Sequence, residues 1–321
     1  VQAYLSPADE LYFGGAAGCG KSFLGIGLSL TQHRNTLFLR RQQTDAKAIS
    51  DAYKALPEHV GTWKGSGYGG EFRTSDGRLV EVNGCQHEDD WKKYAGHAHD
   101  LKLFDELSQF SLKQFTTIGA WNRVRDPIRF PHQRCRVVGM GNPPTDPQGE
   151  WVLRYWAAWL DPTAGAVAAP GELRWYVRVD GEDEAKPVED GRPVTFKGKT
   201  YQPRSRTFIP ARVEDNPAYM AQGYDAVLNA LPEPLRSQLR YGDMMAARQD
   251  GAWQLIPTKW VVAAQKRWVE RKATGFGPLE CVGVDPARGG ADRRAWRCGT
   301  GTASPRWCVG KGRTPRTVKV S

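Results

Sequence analysis

Four short apolar runs punctuate the first half of the chain: residues 10–14 (ELYFG), 36–40 (TLFLR), 100–104 (DLKLF) and 135–140 (CRVVGM). Each is too short for a helix and lacks strict alternation, which is the pattern of a strand buried on both faces. Helical stretches separate them, beginning with FLGIGLSL at 23–30, and a polar hairpin is expected around Asp76 and Gly77. Strands alternating with helices predict a mostly parallel α/β sheet with helices on both faces, and ligands at the carboxyl ends of its strands. The pattern changes after residue 170. Gly171 to Arg206 is rich in Gly, Pro and charge, with alternating pieces LRWYVRV and PVTFKG, and reads as a small β-rich excursion. Residues 207–275 read as mainly helical, with Pro217, Pro232 and Pro234 marking helix starts. The aromatic side chains there, Tyr219, Tyr224, Trp260 and Trp268, are expected in the core rather than on a stacking surface. No internal repeat is visible.

Composition narrows this picture in three ways. The 321 residues leave room for two domains of roughly 100 to 200 residues each. There is no run of about 18 apolar residues and no basic-then-apolar leader, so a soluble, intracellular protein is expected. The chain opens on Val1 rather than Met. Six cysteines without CxxC pairs or His partners fit reduced thiols better than a disulfide framework or a zinc site. The net charge of +10 is unevenly spread: residues 293–321 hold eight of the 45 basic residues and none of the 35 acids. The remaining body is close to neutral, so overall charge makes no case for nucleic-acid binding and specific sites must make it.

The strongest chemical signal follows the first strand. Gly15, Ala16, Ala17, Gly18, Cys19, Gly20, Lys21 and Ser22 match GxxxxGK[ST] in a strand–loop–helix context. Glycines there let backbone N–H groups turn in around phosphate oxygens, because no Cβ blocks the approach. Lys21 is placed to reach the β/γ-phosphates of ATP and the Ser22 hydroxyl to ligate Mg²⁺. The helix start adds its positive dipole end. A phosphate loop needs an acid for the metal and a base for water, and DLKLFDE supplies both: Asp105 toward the metal and Glu106 toward the γ-phosphate. Glutamate directly after the metal acid suits hydrolysis better than transfer to a second substrate. The fourth strand runs out at Asn142, whose amide could sense the γ-phosphate or simply open an Asn-Pro turn.

GGAAGCGKS, WKKYAG, LKLFDE and VVGMGNPP, in that order and spacing, resemble the ATPase motifs of the large terminase subunits of tailed bacteriophages. FIPARVEDNPAY, LPEPLRSQLRYGDM and Trp260 resemble that family's connector between motor and nuclease, and CVGVDPARGGAD (281–292) the first strand of its RNase H-like nuclease. The resemblance implies a P-loop NTPase core of ASCE type at 1–170, the β excursion at 171–206, a helical linker subdomain at 207–275 and only the first nuclease strand at 276–292. It implies ATP hydrolysis through Lys21, Ser22, Asp105 and Glu106, with Asn142 coupling hydrolysis to DNA movement. It also implies an arginine finger, for which Arg123 and Arg125 are the candidates and Arg40 and Arg41 the runners-up, and an adenine contact at Gln2. The implied partners are double-stranded viral DNA, a small terminase subunit and a capsid portal, in a homo-oligomeric ring without membrane, in the cytoplasm of an infected bacterial host.

Asp285 matches the first metal-binding acid of the nuclease, where a second Mg²⁺/Mn²⁺ site is expected only in an intact domain, since two-metal cleavage needs several carboxylates. After Asp292 the chain turns into RRAWRCGTGTASPRWCVGKGRTPRTVKVS, without Asp, Glu, Leu, Ile, Met or Phe. No strand or helix pattern survives there, and 293–321 reads as a basic, disordered, frameshifted tail, with a DNA-binding arm as the alternative. Endonuclease activity is therefore expected to be lost. Other readings of the whole chain are a different P-loop DNA translocase of helicase-like kind, or an inactive terminase relic. DNA substrates with and without a portal, and a turnover comparison with Glu106→Gln, separate these.

Overall fold

In the computed structural model, residues 1–161, 167–180 and 184–246 are described, with a few positions between 256 and 268 and three strands beyond residue 282. Residues 1–249 and 250–321 form two separate units. Among its described residues the first unit has twelve strands: β1 Glu10–Gly15, β2 Asn35–Arg40, β3 Gly61–Ser66, β4 Gly69–Thr74, β5 Leu79–Gly84, β6 Leu101–Asp105, β7 Arg136–Gly141, β8 Arg174–Val177, β9 Lys186–Val188, β10 Val194–Phe196, β11 Lys199–Tyr201 and β12 Arg204–Ala211. Ten of them make one sheet in the order β3-β4-β5-β2-β6-β7-β1-β12-β8-β9, while β10 and β11 pair as a small hairpin. The six central strands, β5 to β12 in that order, run parallel, and the antiparallel pairs flank them at both ends.

Both faces of the sheet are covered, which is why β6 and β7 are buried at every position. On one face the helices Lys21–Thr31 and Lys47–Lys54 send Ile26, Leu28, Ile49 and Tyr53 against Leu11, Phe38, Leu103 and Val138. On the other, Leu112–Ala120 and Glu150–Tyr155 pack Phe115, Ile118 and Trp151, with Trp156, against Tyr12, Leu39, Phe104 and Val137. Ser111 caps the first of these helices by accepting from the Gln114 amide, while Gln114 reaches back to the Ser111 amide. The expected mostly parallel α/β sheet with helices on both faces is thus the observed fold, and the hairpin expected at Asp76–Gly77 is the β4–β5 turn.

Three expectations need correction. First, residues 204–211 are neither the end of a separate excursion nor the start of a helical region. They form β12 and lie parallel to β1 from Glu10↔Arg206 to Gly15↔Ala211. A short run broken by Pro210 hides a strand whose pairing partner stands nearly 200 residues upstream. β8 and β9 likewise extend the main sheet. Second, the helices that follow are short (Pro217–Ala221, Tyr224–Asn229 and Leu235–Leu239), and two of the four aromatics assigned to the core are exposed, Tyr219 at 40% and Trp260 at 62%. Third, in the second unit β13 Gly283–Asp285, β14 Arg294–Cys298 and β15 Arg306–Gly310 pair antiparallel. The strand ending at Asp285 is therefore paired, and strands form where no pattern was legible; Trp and Val lean toward extended backbone even without regular alternation. The remainder of 276–292 and of 293–321 lies outside the described residues. Among the described residues no helix is long and apolar enough to cross a membrane.

Candidate nucleotide site

Because β1, β6 and β7 are parallel neighbours, their carboxyl ends deliver Gly15, Asp105–Glu106 and Asn142 to the same edge of the sheet. β7 stands between the loop strand β1 and the acid strand β6, so the acids approach the loop across one strand. Gly15 has φ 146°, and a Cβ on it would collide with the carbonyl oxygen of Ala211 on β12, so this position tolerates only glycine. Gly20, at φ 82°, faces open space and turns the chain into the helix Lys21–Thr31.

The outer wall of the loop comes from residues 211–242. The Ala16 amide donates to Ala211 O at 2.8 Å, the Ala17 amide to Leu239 O at 2.8 Å, and Asn216 Nδ2 to Gly18 O at 2.7 Å. Val213, Leu228, Tyr224 and Leu239 pack around Ala16 and Ala17. The region expected to be a linker thus braces the loop, with Tyr224 in a packing role as expected.

Inside the cradle Lys21 is buried, with its Nζ donating to Ala16 O at 2.6 Å and to Asn142 Oδ1 at 2.8 Å. The Cys19 thiol lies 3.4 Å from the ammonium and donates to Ala16 O at 3.1 Å; its burial raises its pKa, against the pull of Lys21. The Ser22 hydroxyl donates to Asp105 Oδ2 at 3.0 Å, and the same oxygen pairs with Arg40 Nε at 2.9 Å. Glu106 accepts from the Asn142 amide at 3.4 Å and sits in the left-handed region at φ 56°, a conformation that costs a non-glycine residue on the order of 1 kcal/mol or more. Burial first, and the adjacent Asp105 charge second, raise the Glu106 pKa above the ordinary carboxylate range, opposed by Lys21, Arg40 and the Asn142 amide. Behind it, buried Tyr12 donates to Asn142 O at 3.4 Å, and burial together with the Glu106 charge raises its pKa. Asn142 therefore touches both the lysine, through its side chain, and the glutamate, through its backbone.

Other candidates are placed elsewhere. Arg123 and Arg125 are not brought to this site: Arg123 Nη2 donates to Gly96 O at 2.7 Å and Arg125 Nη1 to Asn35 Oδ1 at 3.4 Å. Asn35 opens β2, so both arginines sit at the amino edge of the sheet, a strand length or roughly 17 Å from the loop edge. Of the runners-up, Arg41 turns to Cys85 O and Gln114 Oε1, whereas Arg40 lies beside Asp105. Gln2 is held by Pro170 O at 3.4 Å. Asp285 lies in the other unit, and its side chain falls outside the described positions. Residues that the sequence did not flag are Tyr12, Asn216 and Leu239. Asn216 and Leu239 lie in the segments that resemble a connector, but nothing local ties any of the three to the site, because each acts through a fold contact to a distant part of the chain.

Among the described residues no three His, Cys, Asp or Glu side chains converge as a metal cage. The hard oxygens of Ser22 and Asp105 nonetheless stand together beside the lysine, which suits a small divalent cation completed by phosphate oxygens and water. The arrangement can bind a triphosphate, neutralise its charge and present a carboxylate to an attacking water.

No protein-family model matches the chain, and no curated protein matches it. Among solved structures it resembles the large terminase from a thermophilic bacteriophage in complex with ADP, at 12% identity and a TM-score of 0.48, covering 92% of this chain and 62% of that one. It also resembles the same terminase in complex with ATP-gamma-S, at 11% identity and 0.45, covering 94% and 63%, and a further crystal form of it at 12% and 0.47, covering 95% and 64%. The chain thus spans less than two thirds of the length of these structures. A likeness this distant carries no residue roles across.

Proposed function

We propose that this chain hydrolyses ATP, and that it is the motor part of a phage large terminase that drives viral DNA into a procapsid. The observation that carries the first half is the contact of Asn142 with both Lys21 and Glu106, beside the Ser22–Asp105 pair. On nucleotide entry Lys21 exchanges Ala16 O and Asn142 Oδ1 for β/γ-phosphate oxygens, and the loop amides and the helix start hold the rest. Glu106 then orients a water and takes its proton as the water oxygen attacks the γ-phosphorus and the bond to ADP breaks. A raised pKa makes its carboxylate a stronger base for that step. A Mg²⁺ ion bound through Ser22 and Asp105 would supply electrostatic stabilisation of the phosphate charge. Arg40, already at Asp105, is the cationic side chain on this edge best placed to follow the γ-phosphate, so the finger role moves to it from Arg123 and Arg125.

The second half of the reading rests on the motif set and its order, GGAAGCGKS through VVGMGNPP. It places the chain in a ring on a capsid portal with a small terminase subunit, in the cytoplasm of the infected host, gripping DNA through phosphates without regard to sequence. Steady-state phosphate release tests the first half: wild-type turnover with ATP and Mg²⁺, lost in Glu106→Gln, is expected, and equal rates in both proteins would overturn it. Stimulation of that turnover by DNA in the presence of portal-bearing procapsids, and not by DNA alone, tests the second. For residues 276–321 the nuclease remnant and basic tail are retained as part of this reading. Robust nicking of supercoiled plasmid with Mg²⁺ or Mn²⁺ that is lost on Asp285→Ala would overturn it.

A further inference from the structure

The sheet face covered by residues 112–160 holds a cavity of ≈ 370 Å³ that no step of hydrolysis uses. It lies at the amino edge of the sheet, where Arg206 of β12 stands beside Glu10 of β1, a strand length away from the phosphate loop. An adjoining cavity of ≈ 330 Å³ shares Tyr155, Tyr176, Arg178 and Arg206 with it and reaches Glu10.

The floor is aromatic and held rigid. The Arg206 guanidinium carbon lies 3.7 Å from the ring centroid of Tyr155 and 4.3 Å from that of Tyr176. Glu10 fixes both partners, accepting from Arg206 Nε at 2.9 Å and from the Tyr155 hydroxyl at 2.7 Å. Trp151, whose Nε1 donates to Phe110 O at 2.7 Å, continues this surface, with Leu112 beside it. The rim is cationic: Arg154 and Arg178 line the cavity, are exposed, and make no ion pair with a described residue. One acid, Glu184, lines it too, and it is exposed. Arg206 is accounted for by its own partners. Arg154 and Arg178 have no ion-pair partner among the described residues, and two such guanidinium groups on the rim of a partly aromatic cavity, with Glu184 as the one acid in its described lining, suit a ligand that joins an apolar body to an anionic group. The volume is within the range of small-molecule sites and suits one nucleotide unit.

We propose that this cavity is a second nucleotide-binding site, with a base lodged against Leu112, Ala157, Ala158 and the edges of Tyr155 and Tyr176, whose faces Arg206 occupies, and its phosphate held by Arg154 and Arg178. The nucleotide is either free or part of a single strand, since both present the same chemistry. This goes beyond the hydrolytic site and does not depend on it.

The test is calorimetric titration of Lys21→Ala protein, in which the phosphate-loop lysine is gone, with two probes: thymidine 5′-monophosphate and 5′-phosphorylated d(TTT). Binding of at least one probe is expected, weakened at least about tenfold in an added Arg154→Gln/Arg178→Gln pair, the scale of losing charge-assisted hydrogen bonds. Leu112→Trp, which fills the cavity from its half-exposed edge, should weaken the same probe. Tighter binding of the trinucleotide identifies a strand as the source of the ligand, and equal binding a free nucleotide. No binding of either probe at millimolar concentration, or affinities unchanged in both variants with melting curves intact, overturns the proposal.

Discussion

Replacing Glu106 by glutamine should move stability and turnover in opposite directions. The substitution keeps the shape and the left-handed backbone at φ 56°, so the local strain is the same in both proteins. What it removes is a desolvated negative charge beside Asp105. A carboxyl whose folded pKa lies above its unfolded one binds more protons in the native state across the interval between the two. Stability is then fully present below the unfolded value and falls as pH rises through the folded one. Glutamine has no such titration, so Glu106→Gln is expected to melt at or above the wild-type temperature at pH 8 and to lose that advantage near pH 4. Turnover should respond the other way. Loss of a general base typically costs 10²- to 10⁴-fold, or about 3 to 5 kcal/mol of barrier. The acid limb of the wild-type kcat/KM profile should lie above the ordinary glutamate range and be missing from the residual activity of the variant. Differential scanning calorimetry without nucleotide at the two pH values, with phosphate release across pH 5–9, reads both arms. A variant that is destabilised at pH 8, or that keeps the wild-type acid limb, would refute the burial-and-repulsion account of this side chain.

Three further outcomes follow from single contacts. Arg40→Ala strips the cation from Asp105, which is 1% exposed, and leaves Ser22 as a neutral donor. A loss of about 1 to 3 kcal/mol in urea unfolding is expected, less than for a fully buried pair because Arg40 is partly solvated, and Mg²⁺ with nucleotide should recover part of it; an unchanged midpoint would mean that the pair does not form. Gly15→Ala drives a methyl into Ala211 O at φ 146°, and more than about 2 kcal/mol of stability should go with it, whereas a wild-type melt with normal ATP binding would show that β12 does not press on the loop. Lys102, fully buried on β6, has its pKa lowered to about 8, first by desolvation and then by Arg123, with Glu81 opposing. Its unfolded form holds a proton up to the ordinary lysine range, so wild-type stability should rise with pH above 8; Lys102→Met should stabilise the protein at pH 7 by up to about 3 kcal/mol and by little near pH 11, and the absence of any gain at pH 7 would place Lys102 in water.

Much of the site was legible because its parts are local. A strand buried on both faces shows as a continuous apolar run, and both the loop motif and the acid pair sit directly after one, so Lys21, Ser22, Asp105 and Glu106 could be named as candidates, and the fold brings those strand ends together. The direction of the strands was legible too, yet Arg123 and Arg125 were assigned to the wrong edge. In a parallel sheet the segment before a strand returns to the amino edge, and both arginines precede β7, so they meet Gly96 and Asn35. The same rule favours Arg40, which ends β2 next to β6. β12 was not legible because nothing within residues 204–211 distinguishes a central strand from a broken apolar stretch. Its identity lies in the register with Glu10–Gly15, and in Trp156, whose Nε1 donates to Thr207 O at 3.1 Å from the helical layer.

That hidden strand changes how the loop should be understood. A phosphate loop is usually read as a cradle facing its ligand, but here its outer amides are spoken for: Ala16 by Ala211 and Ala17 by Leu239, with Asn216 closing on Gly18 O. The three partners come from one stretch of chain that begins in the sheet and continues into short helices around Val213 and Leu228. A shift of the loop backbone by about half an ångström away from that outer side would stretch bonds of 2.7 to 2.8 Å to the long end of the usual N–H···O range or past it. On the inner side Asn142 joins Lys21, through its side chain, to Glu106, through its backbone. Lys21, Glu106 and residues 211–242 therefore meet on one continuous set of contacts, in a region that local pattern offered only as a mainly helical linker subdomain.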